Sequence, residues 1–146
     1  MLPATVGATL TPVAFVATGG ATTAAITASG ATPGLAYATS GTTVTLSGTP
    51  TTAGVYPVAV SVVDGNGVRL VQSYTLTVAK AATTTVLTSS TANANLGAQI
   101  VLTAKVTPAT SGAATGTITF YDGTTAIGSG KVAETTVCWL WLACRR

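Results

Sequence analysis

The sequence contains no histidine and very few charged residues. Among 146 residues there are three acidic and six basic side chains, and charged residues make up 6% of the chain. Globular domains average about 25% charged residues, so this chain lacks most of the side chains that carry acid–base catalysis, metal ligation or phosphate binding. The composition therefore argues against an enzyme, and we expect no catalytic residues and no cofactor.

The net charge of +3 does not indicate a nucleic-acid partner. Arg145 and Arg146 end the chain, and the other basic residues are scattered singly along it, at Arg69, Lys80, Lys105 and Lys131. Binding to a phosphate backbone requires clustered cations that release counterions. We therefore expect no interaction with nucleic acid.

Cysteines and long apolar runs are also scarce. Cys138 and Cys144 lie in the last ten residues, and a largely thiol-free chain suits an exported protein that is stable without disulfides. No apolar run approaches the roughly 20 residues of a membrane span. The residues after Met1 lack the charged start and apolar core of a signal peptide. If the protein works outside the cell, its targeting signal is missing from this chain, which we interpret as a fragment.

The sequence is rich in threonine, alanine, valine, serine and glycine, with apolar residues at every second position. The clearest run is Val55–Asp64, in which Tyr56, Val58, Val60 and Val62 share one face. Gly65-Asn66-Gly67 follows and favours a tight hairpin, because asparagine and glycine tolerate positive φ. Val68–Val78 then alternates as the return strand. A period of two predicts strands with one buried face.

Similar runs, separated by glycine- and proline-containing turns, occur through most of the chain. No stretch of ten residues has helical periodicity, and short strands with frequent turns are typical of an antiparallel sandwich or barrel. The sequence therefore predicts an all-β fold. The further runs are Val13–Ala17, Ala24–Ala28, Val44–Leu46, Thr84–Ser89, Gln99–Thr107, Thr117–Tyr121 and Thr125–Gly130.

Through Gly34-Leu35, Leu46–Gly54 and Val60–Gly67, residues 2–79 resemble a bacterial immunoglobulin-like domain of the He-PIG, cadherin-like type. The resemblance is carried by Gly34-Leu35 and above all by Leu46–Gly54, which reads LSGTPTTAG. It continues through Val60–Gly67, which reads VSVVDGNG.

Residues 82–133 resemble a different bacterial immunoglobulin-like repeat. The motifs are Thr83–Ser90, Ile100–Pro108 and Gly116–Gly123. Together the two resemblances imply two tandem immunoglobulin-like antiparallel β-sandwich modules, at 1–80 and 81–136. We expect the second module to be incomplete, because a seven-strand module takes roughly 80 to 100 residues.

Residues 137–146 form an apolar tail that departs from the second family pattern. Every tryptophan and cysteine of the chain lies here, and the abrupt change suggests a truncated or frameshifted reading frame. In an extended strand, Cys138 and Cys144 would be about 20 Å apart, too far for a disulfide. The tail either adds a strand to the unfinished second module or acts as an apolar edge that recruits other copies.

The resemblance implies a structural spacer or adhesion module of a bacterial cell-surface or secreted protein, without catalysis. We expect an extracellular or cell-surface location, with neighbouring immunoglobulin-like modules in a longer parent chain. The alternative is an accessory module of a secreted enzyme that binds carbohydrate or a protein. A glycan or a host protein is then the expected partner.

Two places in the sequence are candidate binding sites. Asp64 and Asn66 offer carboxylate and amide oxygens that suit calcium. Calcium takes six to eight oxygens and no second acid is near in sequence, so we favour a purely structural hairpin in which Asp64 serves the backbone. Tyr121 lies on the outward parity beside inward Phe120 and could stack on a sugar or a partner, although single exposed tyrosines on strands are common.

Overall fold

The computed structural model describes residues 1–18, 25–95, 97–132 and 138–143. Every regular element in these ranges is a β-strand and none is a helix, so the predicted all-β fold is confirmed. The chain divides into two compact units, Met1–Ala81 and Ala82–Arg146. We refer to them as unit 1 and unit 2 and describe each by itself.

Unit 1 is built from two sheets. β1, β7, β6 and β3 form a four-stranded sheet in that order, and β2, β5 and β4 form a three-stranded sheet. The central hairpin of the larger sheet joins β6 to β7 through ten consecutive residue pairs. The strands are β1 (Leu2–Thr5), β2 (Leu10–Val16), β3 (Ala25–Ser29), β4 (Leu35–Ser40), β5 (Thr43–Gly48), β6 (Gly54–Val63) and β7 (Arg69–Ala79).

The core of unit 1 lies between these sheets. Val44 and Leu46 of β5 come from the smaller sheet, whereas Val58 and Leu76 come from the larger one, and all four are completely buried. Because both sheets contribute side chains to one cluster, unit 1 is a two-layer sandwich. The remaining buried members of the cluster are Leu10, Ile26, Val60 and Val78.

One strand pair in unit 1 departs from the antiparallel arrangement. β1 runs parallel to β7, with Leu2 opposite Leu76 and Thr5 opposite Ala79. The chain cannot form a hairpin between β1 and β2, since these strands belong to different sheets. The Gly7 N–H instead donates to the Pro50 carbonyl at 2.9 Å as the chain crosses between them. All other strand pairs within the described residues are antiparallel.

Two glycines from the first family motif meet at one end of β4 and β5. The Thr49 N–H donates to the Gly34 carbonyl at 2.9 Å. Gly34 and Gly48 have φ of 85° and 123°, values that disfavour side chains. A Cβ on Gly34 would also overlap the Thr49 carbonyl oxygen. The close approach of two backbones therefore explains why glycine occupies both positions.

Unit 2 has five strands in its described ranges, again in two sheets. β12, β9 and β8 form a three-stranded sheet, and β10 pairs with β11. Among the side chains that the structure describes in unit 2, the buried cluster consists of Ala104 and Phe120, with Leu102, Ile118 and Ile127 partly buried against it. The strands are β8 (Thr83–Ser89), β9 (Gln99–Pro108), β10 (Gly116–Asp122), β11 (Thr125–Val132) and β12 (Cys138–Ala143).

The apolar tail supplies the last strand of unit 2. β12 pairs antiparallel with β9, from Cys138 opposite Ala104 to Ala143 opposite Gln99. Of the two alternatives for the tail, the addition of a strand is thus the one that the structure contains. Residues 133–137 and 144–146 are outside the described residues, and so is the predicted separation of Cys138 from Cys144.

Candidate functional sites

The Asp64 carboxylate organises the turn between β6 and β7. Its Oδ1 accepts hydrogen bonds from the Asn66 N–H at 2.9 Å and the Val68 N–H at 2.8 Å. The Asp64 N–H donates to the Val68 carbonyl, and the Gly67 N–H donates to the Asp64 carbonyl, both at 3.0 Å. These bonds form an Asx-type turn, in which the side chain replaces a backbone acceptor. This is the hairpin role expected for Asp64.

The calcium candidates Asp64 and Asn66 lie in the same turn, but the turn brings only one carboxylate to this place. A cation would compete with two N–H groups for Asp64 Oδ1. In residues 1–18, 25–95, 97–132 and 138–143, no three acidic, cysteine or histidine side chains form a group that could hold a metal ion. Calcium would therefore have to draw most of its six to eight oxygens from elsewhere.

An apolar cleft of about 430 Å³ lies between the two sheets of unit 1, beside the Asp64 turn. Phe15 from β2 and Tyr74 from β7 contact each other there, with ring centroids 5.0 Å apart and planes tilted by 48°. Leu70 also lines the cleft and is 67% exposed. Further lining comes from Val16, Ile26, Val60, Val62, Asp64, Val68 and Gln72. Such a surface can bind an apolar or aromatic group but carries no catalytic pair.

The sequence prediction did not identify this cleft. The alternation of residues predicts that Val68 and Leu70 share a face with buried Leu76. Their side chains are nevertheless exposed, at the end of β7 next to the Asp64 turn. A signal was present, since Val71, on the opposite parity, is also apolar and is 48% exposed. Apolar residues on both faces of a strand indicate that one sheet–sheet core does not bury them all.

Two buried hydroxyl oxygens of unit 1, on Thr32 and Tyr37, have no hydrogen-bond partner among the described residues. Burial raises the pKa of the Tyr37 hydroxyl above its usual value, because the phenolate would lose hydration. Tyr37 is therefore neutral at physiological pH and unsuited to act as a base or nucleophile. Its ring instead packs against the unit 1 core.

Tyr121 lies at an irregular point of unit 2. Phe120 opposes Gly128 and Tyr121 opposes Ala126, so Ile127 is an extra residue that bulges from β11. Phe120 is 5% exposed and Tyr121 is 62% exposed, which confirms the predicted outward parity of Tyr121. Both border a smaller groove of about 180 Å³ that is also lined by Leu87 and Leu102.

No protein-family model matches the chain, and no curated protein matches it. Within the part of the chain that the structure describes, no helix is long and apolar enough to cross a membrane. The functional interpretation therefore depends on the geometry of the two units themselves.

Proposed function

We propose that this chain is a structural spacer or adhesion module of a bacterial cell-surface or secreted protein, made of immunoglobulin-like modules and acting outside the cell. The proposal assigns no catalysis, no cofactor and no nucleic-acid partner. The observation that carries it is the parallel pairing of the first and last strands of unit 1.

Parallel end strands suit a module that bears tension. β1 and β7 run in the same direction, so a force on the two ends of unit 1 pulls the paired strands past each other. The hydrogen bonds between them then share the load and must break together. Antiparallel end strands would be unzipped one bond at a time, at lower force.

The hydrogen-bond pattern shows which residues of β1 hold it to β7. The Val6 N–H donates to the Ala79 carbonyl at 3.0 Å. The backbone N–H groups of successive residues point to opposite sides of a strand. The Ala4 N–H therefore also points toward β7, whereas the Thr5 N–H points away from it. Pro3, which has no N–H, lies at another position whose backbone nitrogen faces away from β7, where no hydrogen bond to β7 is lost.

Stretching single molecules of the full chain by their ends tests this function. We expect a distinct unfolding peak for unit 1, with a length gain of about 260 Å for residues 2–79. Ala4→Pro removes an N–H that faces β7 and should lower the peak force. Thr5→Pro is the matched control and should leave it unchanged. Unfolding of unit 1 without a distinct peak, or equal effects of both prolines, would contradict the load-bearing role.

The apolar cleft beside the Asp64 turn favours a second candidate function, an accessory module that binds carbohydrate or a protein. The Phe15–Tyr74 pair and exposed Leu70 provide the kind of apolar surface on which a ligand packs. A glycan array and host-protein panels probed with the full chain separate the two functions. Saturable binding would favour the accessory module, and its absence would favour the spacer.

A further inference from the structure

Strand β8 forms an edge of the β12-β9-β8 sheet of unit 2. All seven of its residues are exposed, and no strand in the described ranges pairs with its outer side. Val86 and Leu87 are 56% and 60% exposed. An edge of this kind presents unpaired N–H and carbonyl groups that can template pairing with another strand.

β8 lacks the features that protect β1 and β10, two other edge strands among the described residues. β1 has only four residues and contains Pro3, and β10 has a register shift after Phe120. β3 and β4 are uncharged but shorter, and their apolar side chains pack on the unit 1 core. β8 has no proline and no charge, and it pairs with β9 through seven consecutive residues without a bulge. Such an edge is competent to pair further.

Hydrogen bonds at the two ends of β8 show which of its residues turn their N–H and carbonyl groups toward β9 and which turn them outward. The Ser90 N–H donates to the Val101 carbonyl at 2.9 Å, and the Ala109 N–H donates to the Ala82 carbonyl at 2.8 Å. Even-numbered residues therefore bond to β9, since hydrogen-bonded pairs alternate along an antiparallel ladder. The outward N–H and carbonyl groups belong to Thr83, Thr85, Leu87 and Ser89.

An antiparallel second copy of β8 satisfies these outward groups in one full-length register. Val86 then lies opposite Val86 of the second copy, Thr85 opposite Leu87, and Thr83 opposite Ser89. Each outward-pointing residue meets another outward-pointing residue, as hydrogen-bonded pairs require. The Val86 pair falls at the two-fold axis in a non-hydrogen-bonded position, where facing side chains are closest.

The inner face of β8 also gains from this partner. Thr85 and Leu87 line the groove of unit 2 together with Leu102 and Phe120. In the proposed register, Leu87 of the second copy lies beside Thr85 and extends the apolar lining of the groove. Burial of two Leu87 side chains that are otherwise exposed adds hydrophobic stabilisation to the hydrogen bonds.

The charges near β8 permit a second copy to approach. The charged residue on the strand paired with β8 is Lys105, which lies opposite Val86 on β9. In the pair, the two Lys105 residues are separated by three strand spacings, about 14 Å. This exceeds the Debye length of about 8 Å at physiological ionic strength, so their repulsion is largely screened.

From these observations we propose that β8 pairs edge to edge with β8 of a second copy, joining two three-stranded sheets into one of six strands about a two-fold axis at Val86. The partner is a second copy of this chain because its own edge supplies matching outward groups, an uncharged surface and a self-complementary sequence. The pairing is isologous and closes at a dimer.

Site-specific cross-linking tests the register. In the full chain with Cys138 and Cys144 replaced by serine, Val86→Cys should form a disulfide-linked dimer under mild oxidation, because facing Cα atoms are about 4.5 Å apart. Thr84→Cys is the matched control. It faces Thr88 of the second copy, and the two Thr84 positions lie about 14 Å apart along the strand. Equal cross-linking by both variants, or none by Val86→Cys, would overturn the proposal.

Sedimentation equilibrium under reducing conditions supplies the second readout. The unmodified chain should show a concentration-dependent monomer–dimer equilibrium. Val86→Lys places two lysines face to face and should weaken the association at least tenfold, whereas Val86→Thr should preserve it, with circular dichroism confirming that each variant folds. A strictly monomeric chain, an open series of larger oligomers, or a dimer insensitive to Val86→Lys would each refute the β8 pairing.

Discussion

Unit 1 and unit 2 use the same alternating strands but differ in how many of their described side chains are buried together. In unit 1, Val44, Leu46, Val58 and Leu76 from opposing sheets are completely buried. Among the side chains that the structure describes in unit 2, the buried cluster consists of Ala104 and Phe120, while Leu87 stays 60% exposed. Alternation is thus enough to form strands in both units, whereas among the described side chains a large shared cluster occurs where the two sheets of unit 1 cover each other.

This difference should appear most strongly in amide hydrogen exchange. Each fully buried aliphatic side chain contributes about 1.5–3 kcal/mol, so we expect the slowest amides of β5 and β7 to be protected at least about a thousandfold more than those of β8 and β9. That ratio corresponds to an opening free energy about 4 kcal/mol larger in unit 1. The measurement is native-state exchange followed by mass spectrometry of the full chain.

Equal protection of the two units, measured in the same molecule, would mean that unit 2 is stabilised by more than the cluster of Ala104 and Phe120, for example by strand pairing within its β12-β9-β8 sheet. Exchange at high and low protein concentration serves as the control. Protection that rises with concentration only in β8 would reflect pairing between copies and not the stability of isolated unit 2.

The local features of the fold could be predicted from the sequence. The β6–β7 hairpin, its turn at Asp64 and the inward face of Val58 and Val60 were all expected and are confirmed. These features depend on neighbouring residues, through the period of two and the turn chemistry of glycine and asparagine. The same holds for the exposed and buried parities of Tyr121 and Phe120.

The long-range features could not be predicted in this way. β1 has four residues, too few for a periodic signal, and its position is fixed by parallel pairing with Leu76–Ala79, far along the chain. β4 was also missed, because the alternation of Leu35 and Tyr37 is interrupted by small residues. The cleft and the free β8 edge depend on where the opposing sheet ends, which no single strand encodes.

Two leucines of β7 differ strongly in burial within one strand of unit 1. Leu76 is completely buried, whereas Leu70, six residues earlier in β7, is 67% exposed. Leu76→Ala should lower the free energy of unfolding of unit 1 by about 3 kcal/mol, through lost transfer energy and a cavity. Leu70→Ala is the matched control and should change it by less than about 0.5 kcal/mol.

Chemical denaturation monitored by tyrosine fluorescence and by exchange in β5 measures both variants. A large effect of Leu70→Ala would show that the cleft beside the Asp64 turn is closed in solution and forms part of the core. A small effect of Leu76→Ala would show that the two sheets of unit 1 do not support each other. Either result would reduce the distinction between the two units.

The smallest effect is expected at two hairpin turns, the β6–β7 turn of unit 1 and the β10–β11 turn of unit 2. Asp64 Oδ1 accepts two backbone N–H groups, whereas the Asp122 carboxylate between β10 and β11 has no hydrogen-bond partner among the described residues. Asp64→Ala should therefore destabilise unit 1 by about 1 kcal/mol, and Asp122→Ala should change unit 2 by less than about 0.5 kcal/mol. Asp64→Asn retains an acceptor oxygen and should recover most of the loss in a thermal melt. If Asp64→Asn were as destabilising as Asp64→Ala, the charge of Asp64 would matter more than its turn geometry, and a cation at Asp64 and Asn66 would become the better explanation of this turn.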